Sequence, residues 1–244
     1  MNQILCNDII KAAEELPEDF QVPLIIADPP YFSIVKEKWD KSDNQKASVD
    51  WMIAWTQAWS KHLLPGGAFY IWGGIGKPKM RPFLEFATRV ESETDLQIAN
   101  WITWSKKRAY GVQHNYLFTR EECLYLCKGD IKKPRLFNVP LLEEKRGYAG
   151  YNDKYPAKSE FLRRTNVWHE SEVFRNKLHV CQKADVVCEI PIKAHTNQGE
   201  TVVELFAGSG SVCAAAKTLK RQYLGVEMDP NYCKIVEERL AKIA

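Results

Sequence analysis

Residues 22–27 read VPLIIA, six apolar residues in a row, and the run stops at ADPPYF. A run of that length and composition reads as a strand buried on both faces. The segments around it alternate between strand-like runs and stretches with helical spacing. That alternation argues an α/β fold with a mainly parallel sheet and helices on both faces. The strand's end is unusual. Its two prolines have no backbone N–H to donate, an aspartate precedes them, and a phenol follows them. A turn alone does not require an acid, two rigid rings and a tyrosine in that order.

The rest of the chain fills in around this strand. QILCN (3–7) reads as a short strand, with Asp8 placed to start the helix IIKAAEEL. Residues 32–48 are polar and mixed and read as a loop. Asp50 is placed to cap a helix through about His62. On it Trp51, Trp55 and Trp59 recur every fourth residue, a stripe that belongs in a core. LLPGG then turns the chain into the strand AFYIWGG. A helix near 79–92 and strands at IANWITW (98–104) and CLYLC (123–127) follow. From Gly129 to Arg164 the pattern dissolves, which marks an inserted module or long loop. The helix QKADVVCEIPIKAH, strand TVVEL, loop FAGSGS, helix VCAAAKTLK, strand YLGVE and helix NYCKIVEERLAKI complete the chain.

The 244 residues fit one large domain, 45% hydrophobic and 27% charged, as in soluble globular proteins. No apolar run approaches the ~20 residues of a membrane helix. The N-terminus turns acidic where a signal peptide is apolar, so the chain reads as cytoplasmic and without a membrane partner. The seven cysteines match no zinc spacing and read as reduced thiols; no metal is expected. Charge is uneven. Lys106 to Lys183 holds 17 basic and 9 acidic residues, net +8, against −5 for the remainder. Such a middle third suits a polyanion.

VVELFAGSGS places an acid in a strand and a Gly-X-Gly turn behind it, and small residues admit close approach of a ligand. About 20 residues on, Glu227 ends another strand, where an acid accepts ribose hydroxyls. The pair points to an adenosine-containing cofactor. No GKS or GKT follows, so this is not a phosphate loop, and the full three-glycine dinucleotide fingerprint is absent.

DPPY, LLPGG, FAGSG and GVE, in that order, resemble the beta group of S-adenosylmethionine-dependent DNA amino-methyltransferases, which act on adenine N6 or cytosine N4. The resemblance covers nearly the whole chain except about 130–165. It implies a Rossmann-like methyltransferase domain over 1–244, with circularly permuted motif order and a short target-recognition segment at 130–165. It also implies S-adenosyl-L-methionine as cofactor. By matching positions, Phe206, Gly208, Ser209 and Gly210 line the methionine part, Glu227 binds the ribose hydroxyls, and Met228 also borders the cofactor. Asp8 receives the adenine amino group, with Cys6 and Asn7 beside it. HVCQKA stands where members often carry HPTQKP, so His179 and Lys183 are kept in type, and Lys183 is expected on the methionine carboxylate. Glu204 replaces the family's usual Asp, keeping a carboxylate on the cofactor side.

The same resemblance explains the odd strand end. A nucleobase amino group is a poor nucleophile because its lone pair is delocalised. Acceptors on Asp28, whose place also borders the cofactor, and on the Pro29 carbonyl draw that nitrogen toward sp³ geometry. Pro29 and Pro30 fix the backbone, and Tyr31 stacks on a base that has left the duplex. In-line transfer then needs only placement and charge. DPPY with Asp leans toward adenine N6; cytosine N4 or RNA adenine are the alternatives. A silent DNA-binding partner subunit would usually lose DPPY or the glycine loop, and both are intact.

DNA is the implied partner. Trp39, in EKWDK, resembles a Trp-Asp pair on a loop that closes over the extruded base. Lys106, Lys107 and Arg108 suit phosphates, and Lys132, Lys133, Arg135, Arg163 and Arg164 bracket the recognition segment. The resemblance further implies dimerisation for many members and a restriction endonuclease sharing the target.

Overall fold

The structure is a computed structural model. It describes residues 1–31, 45–75, 81–111, 113–147, 150–152, 155–156, 159–173, 178 and 182–243. In chain order the elements are β1 (Asn2–Cys6), α1 (Ile9–Glu15), β2 (Val22–Ala27), α2 (Gln45–Ser60), β3 (Leu63–Gly73) and α3 (Arg81–Glu93). Next come β4 (Leu96–Tyr110), β5 (Phe118–Lys128), β6 (Leu141–Lys145), β7 (Gly150–Asn152), β8 (Tyr155–Pro156), β9 (Phe161–Arg163) and β10 (Val167–Trp168). The chain finishes with α4 (Asp185–His195), β11 (Thr201–Leu205), α5 (Ser211–Thr218), β12 (Gln222–Glu227) and α6 (Pro230–Ala241).

Eight strands form one sheet in the order β1-β12-β11-β2-β3-β5-β4-β10. Neighbours pair in parallel except around β5, which runs antiparallel to both β3 and β4. The expected mainly parallel sheet is therefore present, with one reversed strand. VPLIIA is buried at all six positions, as its composition requires. Ile25 and Ala27 join a core with Trp55, Trp59 and Phe86 on the side of α1, α2 and α3. Leu24 and Ile26 join a second core with Cys188, Ile192 and Ala214 to Ala216 on the side of α4 and α5. Each such aliphatic side chain contributes roughly 1.5–3 kcal/mol by leaving water. Two of the three stripe tryptophans, Trp55 and Trp59, are fully buried.

Three local readings change. α2 begins at Gln45, because Gln45, Lys46 and Ala47 are themselves good helix formers. Asp50 is thus no cap; it sits inside the helix and its Oδ1 meets Arg89 Nη1 of α3 at 2.8 Å. LLPGG is not a free turn but the irregular start of β3, where Val22 faces Leu63 and Leu24 already faces Ala68. The patternless 129–164 stretch holds two small antiparallel pairs, β6 with β9 and β7 with β8. Its first leg runs along the amino edge of the sheet. There Arg135 N–H donates to Gly66 O, Asn138 N–H donates to Ala194 O, and Arg135 pairs with Glu200. His195 Nδ1 donates to Leu136 O at 3.0 Å, so its Nε2 accepts from the buried Tyr70 hydroxyl at 3.1 Å. Burial holds this imidazole down at about 4, hence neutral.

β4 and β5 outrun the sheet. β3 ends where Gly73 faces Glu122, yet the ribbon continues through Ser105–Arg120 to Tyr110–Phe118. From Glu122 to Phe118 that is about 13 Å of further strand. Between those last two pairs, residues 106–109 (KKRA) face Thr119 alone, a bulge that bends the ribbon.

Candidate active site

Leu5, Val226, Leu205, Ala27 and Ile71 lie in register across five parallel strands, so their chain continuations leave the sheet at one carboxyl edge. Ligands of open α/β sheets bind at this edge. The loops after β11 and β2 start side by side, joined by Asp28 N–H to Leu205 O at 3.5 Å.

On the β11 side, Phe206 has φ +60, a conformation that costs a bulky residue about 1–2 kcal/mol. Its ring is held against Trp51 at 5.5 Å and Trp55 at 5.3 Å, which offsets the strain. Gly210 follows at φ +68 and starts α5; a Cβ there would lie 2.5 Å from Val236 Cγ1. Glu204 is buried and turned onto α5, accepting from Val212 N–H at 3.0 Å and Cys213 N–H at 2.8 Å. It braces the glycine loop from behind. Burial outweighs those hydrogen bonds and lifts its carboxyl to about 7. Ser209 is buried within the loop.

Glu227 accepts from Gly208 N–H at 2.7 Å, Met228 N–H at 2.8 Å and Asp229 N–H at 2.9 Å. Three of a carboxylate's roughly four acceptor sites are thereby filled, which leaves capacity for one hydroxyl. Met228 is exposed beside it. Asp8 Oδ1 caps α1 through Ile10 and Lys11 N–H, and Asn7 Oδ1 accepts from Asp8 N–H. Cys6 is exposed at the end of β1. These residues do converge on one edge.

On the β2 side, Lys183 is the hub. Its Nζ donates to Asp28 Oδ1 and Oδ2, both at 2.8 Å, and to Glu121 Oε2 at 2.9 Å. Tyr31 OH lies 3.2 Å from the same ammonium and donates to Asp28 Oδ1 at 2.9 Å. The Lys183 charge also sits 5.0 Å from the Trp72 ring centroid. Burial alone would lower this lysine, but Asp28 and Glu121 hold its pKa above the usual range. Burial likewise opposes ionisation of Glu121, yet Lys183 and Lys106 outweigh it and set that carboxyl at about 2. Beside this cluster lies a shallow cleft lined by Pro29, Pro30, Tyr31, Trp72, Gly73 and Phe83.

Several expected placements shift. Lys183, expected on a cofactor carboxylate, is paired with Asp28 and Glu121. Lys106, expected on phosphate, turns inward to Glu121 and over the Trp104 ring. Lys107 and Arg108 remain exposed on the ribbon. Lys132, Lys133 and Arg135 lie with the amino-edge leg, away from DPPY, because Arg135 is tied to Gly66 and Glu200. Arg163 ends β9, exposed, and Arg164 pairs with Glu170. Trp39 and His179 lie outside the described residues. Glu121, Trp72 and Trp51 were missed. The one sequence signal for Glu121 was a double acid leading into the apolar run CLYLC. The pleat sends the two acids to opposite faces, and Glu122 Oε2 accepts from Trp101 Nε1 and Thr103 Oγ1.

Solved structures that superpose on this chain include DNA methyltransferases. The M1.HpyAVI complex with S-adenosylmethionine superposes with TM-score 0.70 at 23% identity, over 98% of this chain and 99% of that one. The cytosine-N4-specific PvuII DNA methyltransferase gives TM-score 0.75 at 17% identity, over 98% and 86%. At these identities the likeness is one of fold. The chain belongs to the N6/N4 DNA methylase family, whose model matches residues 22–238. Among curated relatives, the type II methyltransferase M.BamHI of Bacillus amyloliquefaciens is 29% identical over 98% of this chain, which spans 57% of that protein. M.HpaI of Haemophilus parainfluenzae is 26% identical, covering 98% of this chain and 74% of the relative. S-adenosylmethionine is the methyl donor of this class.

Proposed function

We propose that this chain methylates adenine N6 in duplex DNA, with the target base turned out into the cleft beside Tyr31. The observation that carries the reading is the junction of β2 and β11. DPPY and the glycine loop leave adjacent strands, with Asp28 N–H against Leu205 O. S-adenosylmethionine would supply an electrophilic methyl on its sulfonium. The chain's own residues fit it: Phe206 in a left-handed turn, Gly208 and Gly210 without side chains, and Glu227 with acceptor capacity left for a ribose hydroxyl.

Asp28 then accepts an N–H of the target amino group and raises electron density on nitrogen. Tyr31 and the proline pair hold the ring flat in the cleft. The amino nitrogen would take the methyl that the sulfonium gives up, and the surplus proton would leave the nitrogen for solvent. The β4–β5 ribbon faces the duplex in this reading. Lys107 and Arg108 are exposed on it, and residues 105–120 hold no acid. The type II names of the relatives extend the reading to a modification enzyme with a companion endonuclease.

The test is nucleoside mass spectrometry on unmethylated plasmid incubated with protein and S-adenosylmethionine. N6-methyldeoxyadenosine is the expected product. N4-methyldeoxycytidine would overturn the base assignment, and no product on DNA or RNA would point to a silent subunit.

A further inference from the structure

We propose that Glu121 is a positioning residue of the transfer site, acting on Asp28 through the ammonium of Lys183 that the two carboxylates share. The inference rests on the methyl-transfer reading given above. It departs from the expectation that Lys183 serves only a cofactor carboxylate.

The geometry is that of two acids and one cation around a phenol. Tyr31 OH stands 2.9 Å from Asp28 Oδ1 and 3.5 Å from Glu121 Oε2, so the carboxylates reach a common atom. Like charges that close destabilise each other in a poorly hydrated site. Lys183, with its side chain 8% exposed, touches both. Glu121 is thus the second anchor that sets where the ammonium sits, and the ammonium sets where both Asp28 oxygens point. Lys106 binds the far oxygen of Glu121 from the DNA-facing ribbon, which completes a chain of alternating charges from ribbon to Asp28.

The remaining titratable neighbours are accounted for. Burial raises the thiols of Cys123 on β5 and Cys188 on α4, so they stay protonated. Glu122 faces away toward Trp101 and Thr103.

The decisive experiment is a double-mutant cycle with Lys183→Met, Glu121→Gln and the pair together. Lys183→Met leaves two carboxylates at one phenol with Lys106 alone against them. Burial then opposes ionisation of Glu121 with one cation fewer, and it takes up a proton at higher pH. The kcat deficit of Lys183→Met should shrink as pH falls and Glu121 takes up its proton, and turnover near pH 8 should suffer most. Adding Glu121→Gln removes the repulsion. The double variant should regain about tenfold in kcat over Lys183→Met near pH 8 and lose that variant's pH dependence. Cofactor KM should change less than about threefold across the set.

A double variant no better than Lys183→Met, or a loss confined to cofactor KM, overturns the proposal. Melting temperature against pH, without substrate, judges the ion cluster even if wild type methylates nothing. Lys183→Met should lose stability as pH rises through its raised carboxyl, while the double variant should not. If Lys183→Met is insoluble and the double variant folds, the proposal stands; if both are insoluble, it falls.

Discussion

Four of the acids described at one edge of this sheet are held in two different ways. Glu204 and Glu227 sit on the β11–β12 side and are held by backbone amides of Val212, Cys213, Gly208, Met228 and Asp229. Asp28 and Glu121 sit on the β2–β5 side and are held by side chains, Lys183, Lys106 and Tyr31. Backbone donors cannot leave without unfolding a loop or helix. Side-chain donors can exchange partners by rotamer changes alone. The first arrangement suits a group that must hold a fixed shape. The second suits a group that must meet an incoming amino nitrogen.

Removing the carboxylate proposed to accept the amino N–H tests the side-chain half most severely. Asp28→Ala should lower methyl transfer by on the order of a thousandfold in a protein that still folds, with some loss of melting temperature because the buried Lys183 ammonium loses one of its two carboxylates. Substantial turnover in that variant, read by product mass spectrometry, would erase the contrast. Gly210→Ala attacks the backbone half. It adds a side chain at φ +68 and drives a Cβ to 2.5 Å from Val236 Cγ1. Urea denaturation should show a loss of about 3 kcal/mol. Val236→Ala in the same chain should recover the collision but not the backbone strain.

Glu204→Gln is milder, about 1–3 kcal/mol, because an amide offers one acceptor where two N–H groups need two. Its pH signature sharpens the comparison. The folded carboxyl, at about 7, lies above its unfolded value, so its contribution is full below the unfolded pKa and is lost as pH rises through about 7. The variant should be flatter over that window in a pH series of denaturation curves. The smallest effect belongs to the ribbon. Lys107→Ala with Arg108→Ala should reduce the slope of log affinity against log salt by about 2, read by DNA titration at several salt concentrations.

This contrast also separates what was legible in the sequence from what was not. The backbone-held half is local. FAGSGS and GVEMD carry their own donors, their own glycines and their own strand ends, so short quoted stretches sufficed to place them. VPLIIA, TVVEL and YLGVE were read within a residue because their apolar runs leave no face for water. The side-chain half is assembled across the chain. Lys183 and Asp28 are 155 residues apart, and Lys183 and Glu121 are 62 apart. No spacing rule links them, and only the reversed strand β5 brings Glu121 to the edge. The amino-edge course of residues 133–138 was equally invisible, since it depends on the bulged start of β3 and on Ala194 and Glu200. The short pairs β6–β9 and β7–β8 were unreadable because strands this short and polar have no periodicity to display.

The leg clamped at Gly66, Ala194 and Glu200 does more than tidy the amino edge. Leu141 and Arg163 are paired, and Arg164 N–H donates to Pro140 O, so the chain leaves the scaffold and rejoins it at one point. Whatever lies between those residues is a cassette with both ends already fixed. Changing its length costs only slowly with loop size. A foreign segment spliced between 141 and 163 would meet the same sheet, the same ion cluster and the same glycine loop. A chain built this way is ready for exchange of parts by recombination, with no repacking of its core.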